Sequence, residues 1–269
     1  IISSANQFFI SRYYGNATFA VFSNGFMELP FVGMILGAIS AVLLPVFSGM
    51  DKGNGMGSDT LSIWNSALMK SAKLIFPMLI YSIFFAEPIM ACMYGDQYIQ
   101  SSIYFIIKNV SGLFFIIPFY PIIVAIGKAK EYANVHMLVA FLILIGEYII
   151  CKISDTAINI AIISEVCQLL KIWLLMRIIS SYAHKKISDL IPPKSIGFLL
   201  LVSILSSLPP FVLLYYVDMN KWLALIVSLV FFMVDYYILC WVLKISYCDI
   251  LGGFFKNKSR WSVLAKFIP

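Results

Sequence analysis

The chain has 269 residues, of which 61% are hydrophobic and only 12% charged, with 19 Lys and Arg against 13 Asp and Glu; its mean hydropathy is +0.93. A soluble domain carries roughly a quarter charged residues, so a water-exposed globule is excluded and lipid must be the solvent for most of this side-chain surface. The net charge of +6 fits the basic loops that orient membrane spans, and no nucleic-acid partner is expected from it.

The opening stretch, residues 1–16, "IISSANQFFISRYYGN", reads as the outer end of a transmembrane helix whose beginning precedes the sequence. It lacks the basic flank and small-residue cleavage site of a signal peptide. Seven apolar stretches long enough to cross ~30 Å of hydrocarbon follow, at 18–47, 74–94, 102–127, 134–151, 156–179, 196–217 and 222–246. They lack the alternation of a transmembrane barrel, which predicts an all-α polytopic bundle over residues 17–246. The longest connection, 48–73, opens Gly/Ser/Asp-rich and continues as "TLSIWNSALMKSA", a short amphipathic helix expected on the membrane surface. Residues 247–269 form a basic tail that mixes aromatics with cations; it reads either as an ordinary basic flank or as a site for anionic headgroups. The five cysteines show no C-x-x-C spacing, so no disulfide, metal or cofactor is expected.

Orientation follows from the cations. With the C-terminus inside, 15 Lys and Arg flank the inner ends of the spans and 3 the outer ends, a strong positive-inside bias. Seven spans then put residue 17 outside. An odd number of spans behind a helix remnant leads us to expect the C-terminal half of a longer transporter, with an N-terminal lobe of the same chain as its partner.

Charges inside spans cost about 2.5–3.5 kcal/mol on insertion scales, which makes each a candidate for function. Glu28 lies about ten residues, or ~15 Å, into its span. Asn24 stands one turn before it and Pro30 just beyond, so a kinked helix with a mid-membrane carboxylate is expected. The alternative is a carboxylate that only glues helices together. Glu165 is about as deep, with Gln168 following on the same face; a polar stripe for packing is the competing reading. Lys171 and Lys108 sit closer to the span ends, where long stems reach water. Lys108 is flanked by Asn109 and Ser111, with Pro118 and Pro121 further along, in a helix suited to line a cavity. Glu87 and Glu147 read as interfacial. Asp235 is deep in the last span and has no evident partner in the sequence.

Several stretches, in order, carry a family resemblance: "NQFFISRYYGNATFAVFSNGFMELPF", "ISAVLLPVFSGM", "EPIMACMYGDQYIQSSIYF" and "IIVAIGKAKEYANVH". Together they resemble the polysaccharide (Wzx-type, O-antigen) flippases of the multidrug/oligosaccharidyl-lipid/polysaccharide exporter superfamily. Two departures stand out. Asn6 or Gln7 replaces the acidic residue usual in the family's seventh helix, and Ser154-Asp155-Thr156 replaces a Gly-rich approach to its twelfth. The resemblance implies the C-terminal lobe of a fourteen-helix, MATE-like transporter in a bacterial cytoplasmic membrane, with its C-terminus cytoplasmic.

Its implied cargo is a polyprenyl-pyrophosphate-linked oligosaccharide, carried by alternating access without chemistry on the substrate, among membrane lipids. On that reading Lys108, Lys171 and Arg12 hold the pyrophosphate. Glu28, Asn24 and Glu165 bind sugar hydroxyls or carry a coupling proton or Na+. A cation-coupled drug exporter is a second reading, disfavoured by the two extra C-terminal spans. A membrane enzyme of polysaccharide assembly is a third, disfavoured because His136 and His184 stand apart with no acid–base constellation.

The charge count makes a direct prediction. In a background without native cysteines, an impermeant thiol reagent applied outside should label a cysteine at Asn220 and not one at Ser58. The opposite pattern would reverse the assigned orientation.

Overall fold

The computed structural model describes residues 2–49, 58–217, 219–247 and 249–250. Nearly all of the basic tail and the Gly/Ser/Asp-rich start of the 48–73 connection lie outside these residues. The described residues are all-α, in the order α1 (Ile2–Tyr13), α2 (Gly15–Gly25), α3 (Pro30–Ser48), α4 (Ser58–Phe84) and α5 (Ala86–Tyr94). A 3₁₀ segment (Asp96–Ser101) leads into α6 (Ser102–Gly112), α7 (Phe119–Ala125), α8 (Ala129–Ile153) and α9 (Ile158–Ala183). The short α10 (Ile187–Leu190), α11 (Pro193–Tyr216) and α12 (Lys221–Val242) complete the bundle.

Among the described residues six helices are long and apolar enough to cross a membrane: α3, α4, α8, α9, α11 and α12. The sequence led us to expect seven spans, and the difference has a local cause. The 102–127 stretch is two short helices, α6 and α7, parted by residues 113–118. Pro118 supplies no N–H and biases its predecessor away from helix, so the run cannot close. The 18–47 stretch is divided in the same way at 26–29, where Leu29 is held extended (φ −67°, ψ 122°) by Pro30 at the first position of α3.

The segment expected to lie on the membrane surface behaves differently. Residues 58–72 are the first half of α4, continuous with the span. Trp64, Leu68, Ala72 and Ile75 recur on one face and are fully buried. The Trp64 indole N–H donates to the Pro118 carbonyl at 3.3 Å, which ties α4 to the break before α7 and gives a partner to a carbonyl freed there. Around Trp64 gather Leu43 and Phe47 of α3, Ile122 and Ile123 of α7, and Met176 and Ile179 of α9. A second core joins Phe76 and Leu79 of α4 to Leu199 and Val202 of α11 and Cys240 of α12. A third joins Ile10, Phe22, Tyr104 and Ile160, from α1, α2, α6 and α9.

Several buried hydroxyls are satisfied by the chain's own carbonyls, as lipid demands. On α11, Ser203, Ser206 and Ser207 are fully buried, and their hydroxyls donate to the carbonyls of Leu199, Val202 and Ser203 at 2.9, 2.9 and 3.0 Å. Small residues of this kind let α11 pack closely on both α4 and α12. The outward faces are apolar: α8 exposes Met137, Phe141, Tyr148 and Ile149, and α12 exposes Ile226, Val230 and Met233. Side chains like these on a long helix face are at home only in lipid.

One glycine is required by a close approach. A Cβ built on Gly25 would stand 2.1 Å from the Ser101 carbonyl oxygen, whereas one on Gly33 would meet nothing within 4 Å. Gly25→Ala should therefore destabilise the bundle by about 1–3 kcal/mol, lowering the unfolding temperature in detergent, and Gly33→Ala should not. Equal unfolding temperatures for the two variants would show that α2 does not pack on the 3₁₀ segment as described.

Candidate functional site: a charged cavity between α6, α9 and the α2–α3 break

The break at 26–29 positions the first group of the site. Pro30 opens α3 and α2 ends at Gly25, so Glu28 stands in the non-helical chain between them and not on a kinked helix one turn beyond Asn24. The Phe26 N–H closes α2 by donating to the Phe22 carbonyl at 2.7 Å, and the two rings stack with centroids 4.7 Å apart. Phe26 in turn lies 5.3 Å from the Lys108 ammonium, a distance at which the ring face attracts a cation.

Helix α6 presents Lys108 and Ser111 on one face, three residues apart. The Lys108 ammonium donates to Glu165 Oε1 of α9 at 3.0 Å, and the Ser111 hydroxyl donates to the other carboxylate oxygen. The pair is well sheltered, with side-chain exposures of 19% for Lys108 and 6% for Glu165. Removing one partner of such a pair costs about 3–5 kcal/mol, because the other charge is left stranded. Asn109, also buried, points its amide back to the Phe105 carbonyl at 2.7 Å.

Helix α9 continues the face at the same spacing. Gln168 follows Glu165 after three residues, and Lys171 follows Gln168 after three more. Gln168 is buried, and its Oε1 has no hydrogen-bond partner. The Lys171 ammonium rests 5.2 Å from the centroid of Phe115. None of the ion pairs among the described residues includes it.

These groups enclose one cavity of about 220 Å³, whose polar lining is Glu28, Lys108, Asn109, Gln168 and Lys171, with Leu29, Val32, Leu79, Gly112 and Phe115 as its apolar wall. Glu165 backs it through Lys108. The structure thus gathers Glu28, Lys108, Glu165 and Lys171, although Glu28, Lys108 and the α9 pair come from three separate stretches of chain. It does not bring Arg12 or Asn24 to the lining. Arg12 ends α1 and is exposed, and Asn24 lies in the last turn of α2. The two lysines and two glutamates cancel in formal charge, but the one ion pair among them is Lys108–Glu165, which leaves the Lys171 ammonium without a paired carboxylate.

Beside it runs a larger groove of about 780 Å³ between α3, α4 and α12, walled by Leu74, Met78, Tyr81, Phe232, Met233 and other apolar and aromatic side chains. Leu29 lines both spaces. A small charged chamber therefore abuts a long apolar one, with a single leucine shared between them.

Other sequence candidates lie elsewhere. Asn6 is buried and joined to Ser164, with the amide nitrogen 3.1 Å from the hydroxyl, while Gln7 beside it is exposed. Glu87 is exposed, in the first turn of α5, while Glu147, expected at an interface, is fully buried on α8. Asp235 of α12 keeps one carboxylate oxygen buried with no hydrogen-bond partner. No cluster of His, Cys, Asp or Glu able to hold a metal occurs among the described residues. Phe26, Phe115 and Leu29 could not be singled out from sequence as site residues, because aromatic and aliphatic side chains are too common here to stand out.

Residues 1–103 match the model of a family described as polysaccharide biosynthesis protein. The matched stretch runs from α1 through the 3₁₀ segment and includes Glu28, and it ends before Lys108, Glu165 and Lys171. No curated protein and no solved structure matches the chain. The N-terminal part of this multi-pass membrane protein is thus similar to proteins of polysaccharide biosynthesis.

Proposed function

We propose that the chain takes part in moving a lipid-linked oligosaccharide, of the polyprenyl-pyrophosphate type, across the bacterial cytoplasmic membrane. The observation that carries this reading is the charged cavity abutting the apolar groove inside a lipid-facing bundle. A cargo with a phosphate group, a hydroxyl-rich head and a long hydrocarbon tail asks for both environments side by side. The cavity offers lysine ammoniums for phosphate oxygens and amide and carboxylate groups for sugar hydroxyls. The groove offers apolar area along which a tail can lie. The similarity of residues 1–103 to polysaccharide biosynthesis proteins supports the same pathway.

The bundle on this reading is one lobe of a MATE-like transporter, with the C-terminus cytoplasmic, and it changes no covalent bond in its cargo. Helix breaks at the cavity fit that role. Non-helical backbone at membrane depth is tolerated where it lines a cavity, and such breaks let a transporter rock around a fixed site. A coupling proton or Na+ would be taken by Glu28, the exposed carboxylate at the cavity.

The test is made in the native strain. Deleting the gene should remove surface polysaccharide and cause lipid-linked oligosaccharide to accumulate inside. Restoring the gene with Glu28→Gln or Lys171→Gln should leave export reduced by about tenfold or more at normal protein abundance, as expected for charges placed in a hydrated lumen. If Glu28 serves only to pack helices, Glu28→Gln will export normally, because an amide still hydrogen-bonds there. Unchanged surface polysaccharide in the deletion strain would overturn the transport reading.

A further inference from the structure

The Glu165 carboxylate makes the contacts that a phosphate group seeks. One oxygen takes the Lys108 ammonium at 3.0 Å, and the other takes the Ser111 hydroxyl. The carboxylate is 94% shielded and reaches Lys108 from behind the cavity, so Lys108 is present in the lining and already engaged. Lys171, six residues along α9, faces the same space with no ion pair, held over Phe115. Between them the buried Gln168 has an acceptor oxygen with no partner. The cavity therefore holds one cation without an ion pair, one engaged cation and an unpartnered acceptor oxygen.

We propose that Glu165 is the resident occupant of a phosphate subsite, and that a diphosphate diester binds by taking Lys108 from it. This rests on the transport reading for the identity of the ligand, but the exchange itself follows from the contacts. The incoming diester meets Lys171 first, since that ammonium needs no release. Its second phosphate then competes with the carboxylate for Lys108. The Ser111 hydroxyl, which already donates to one of its oxygens, stays on the displaced carboxylate. The Lys108 ammonium passes from carboxylate to phosphate, so it is not itself left without a counter-charge. Glu165 thereby sets the affinity and is a specificity-determining residue: it rejects neutral and weakly charged groups that cannot outbid a carboxylate.

The sign of the effect separates this role from a structural one. Binding of symmetrical dimethyl diphosphate to the purified full chain in detergent is measured by calorimetry. Glu165→Gln, which keeps size and hydrogen bonding and removes the competing charge, should raise the affinity about tenfold. Ser111→Ala, which leaves the carboxylate in place but loosens its seat, should raise it in the same direction by less. Lys108→Gln should lower it. Weaker or unchanged binding in both Glu165→Gln and Ser111→Ala, or no binding by any form, would overturn the exchange, even if the deletion strain shows that the chain exports polysaccharide.

A second arm compares ligands. A polyprenyl diphosphate sugar that binds more tightly than dimethyl diphosphate, with the same gain on Glu165→Gln, supports the exchange and a lipid-linked ligand. Equal affinities with that gain support the exchange at Glu165 while pointing to a soluble diphosphate ester, which would sink the transport reading alone.

Discussion

A lysine ammonium and a glutamate carboxylate held 3.0 Å apart between α6 and α9 constrain everything around them. Neither charge is tolerable alone in a lipid-embedded bundle, so the two helices must stay in register at that level. Ser111 adds a second tie to the same carboxylate. The fixed distance between α6 and α9 then leaves a gap on one side of the pair, and the α2–α3 break fills it from the opposite wall. The cavity is the space left over, and its polarity is inherited from the pair that opens it.

Helix termination is the second theme. Two of the cavity's walls come from interrupted helix: the 26–29 break, and α6, which stops at Gly112 before reaching Pro118. Each interruption exposes backbone groups that lipid cannot satisfy. The bundle answers from within, through the Trp64 indole on the Pro118 carbonyl and the Phe26 N–H on the Phe22 carbonyl. Breaks placed where the protein can satisfy them permit irregular, ligand-facing chain at depth, whereas α8 and α12 run unbroken and carry exposed apolar faces. The apolar groove then follows from α12 packing on α11 and only lightly on α4.

Much of the class was legible in the sequence. Composition required a polytopic helical protein, and Pro30 and Pro118 marked the positions where helices stop. Periodicity misled over 58–72, because a surface helix and the buried half of a span show the same spacing of Trp64, Leu68 and Ala72. Only the continuation into Ile75 and Phe76, without a turn signal, pointed to burial. Glu28, Lys108, Glu165 and Lys171 stood out one by one through their cost in lipid. Their grouping was not legible, since Lys108 and Glu165 lie 57 residues apart and no spacing rule links residues on different helices. Asn24 and Arg12 were carried along by proximity in sequence to charged or broken segments, and the chain turns away from the cavity at both.

The central claim is that Lys108 and Glu165 meet as partners across α6 and α9, and exchanging the two charges tests it most directly. Abundance in the membrane is measured for Lys108→Glu, for Glu165→Lys and for the two together. The account predicts that each single reversal depletes the protein, because two like charges then face each other without relief. It predicts that the double reversal, which restores an opposite pair, returns most of the lost protein. A double reversal no more abundant than the worse single would contradict the pairing, and with it the description of the cavity.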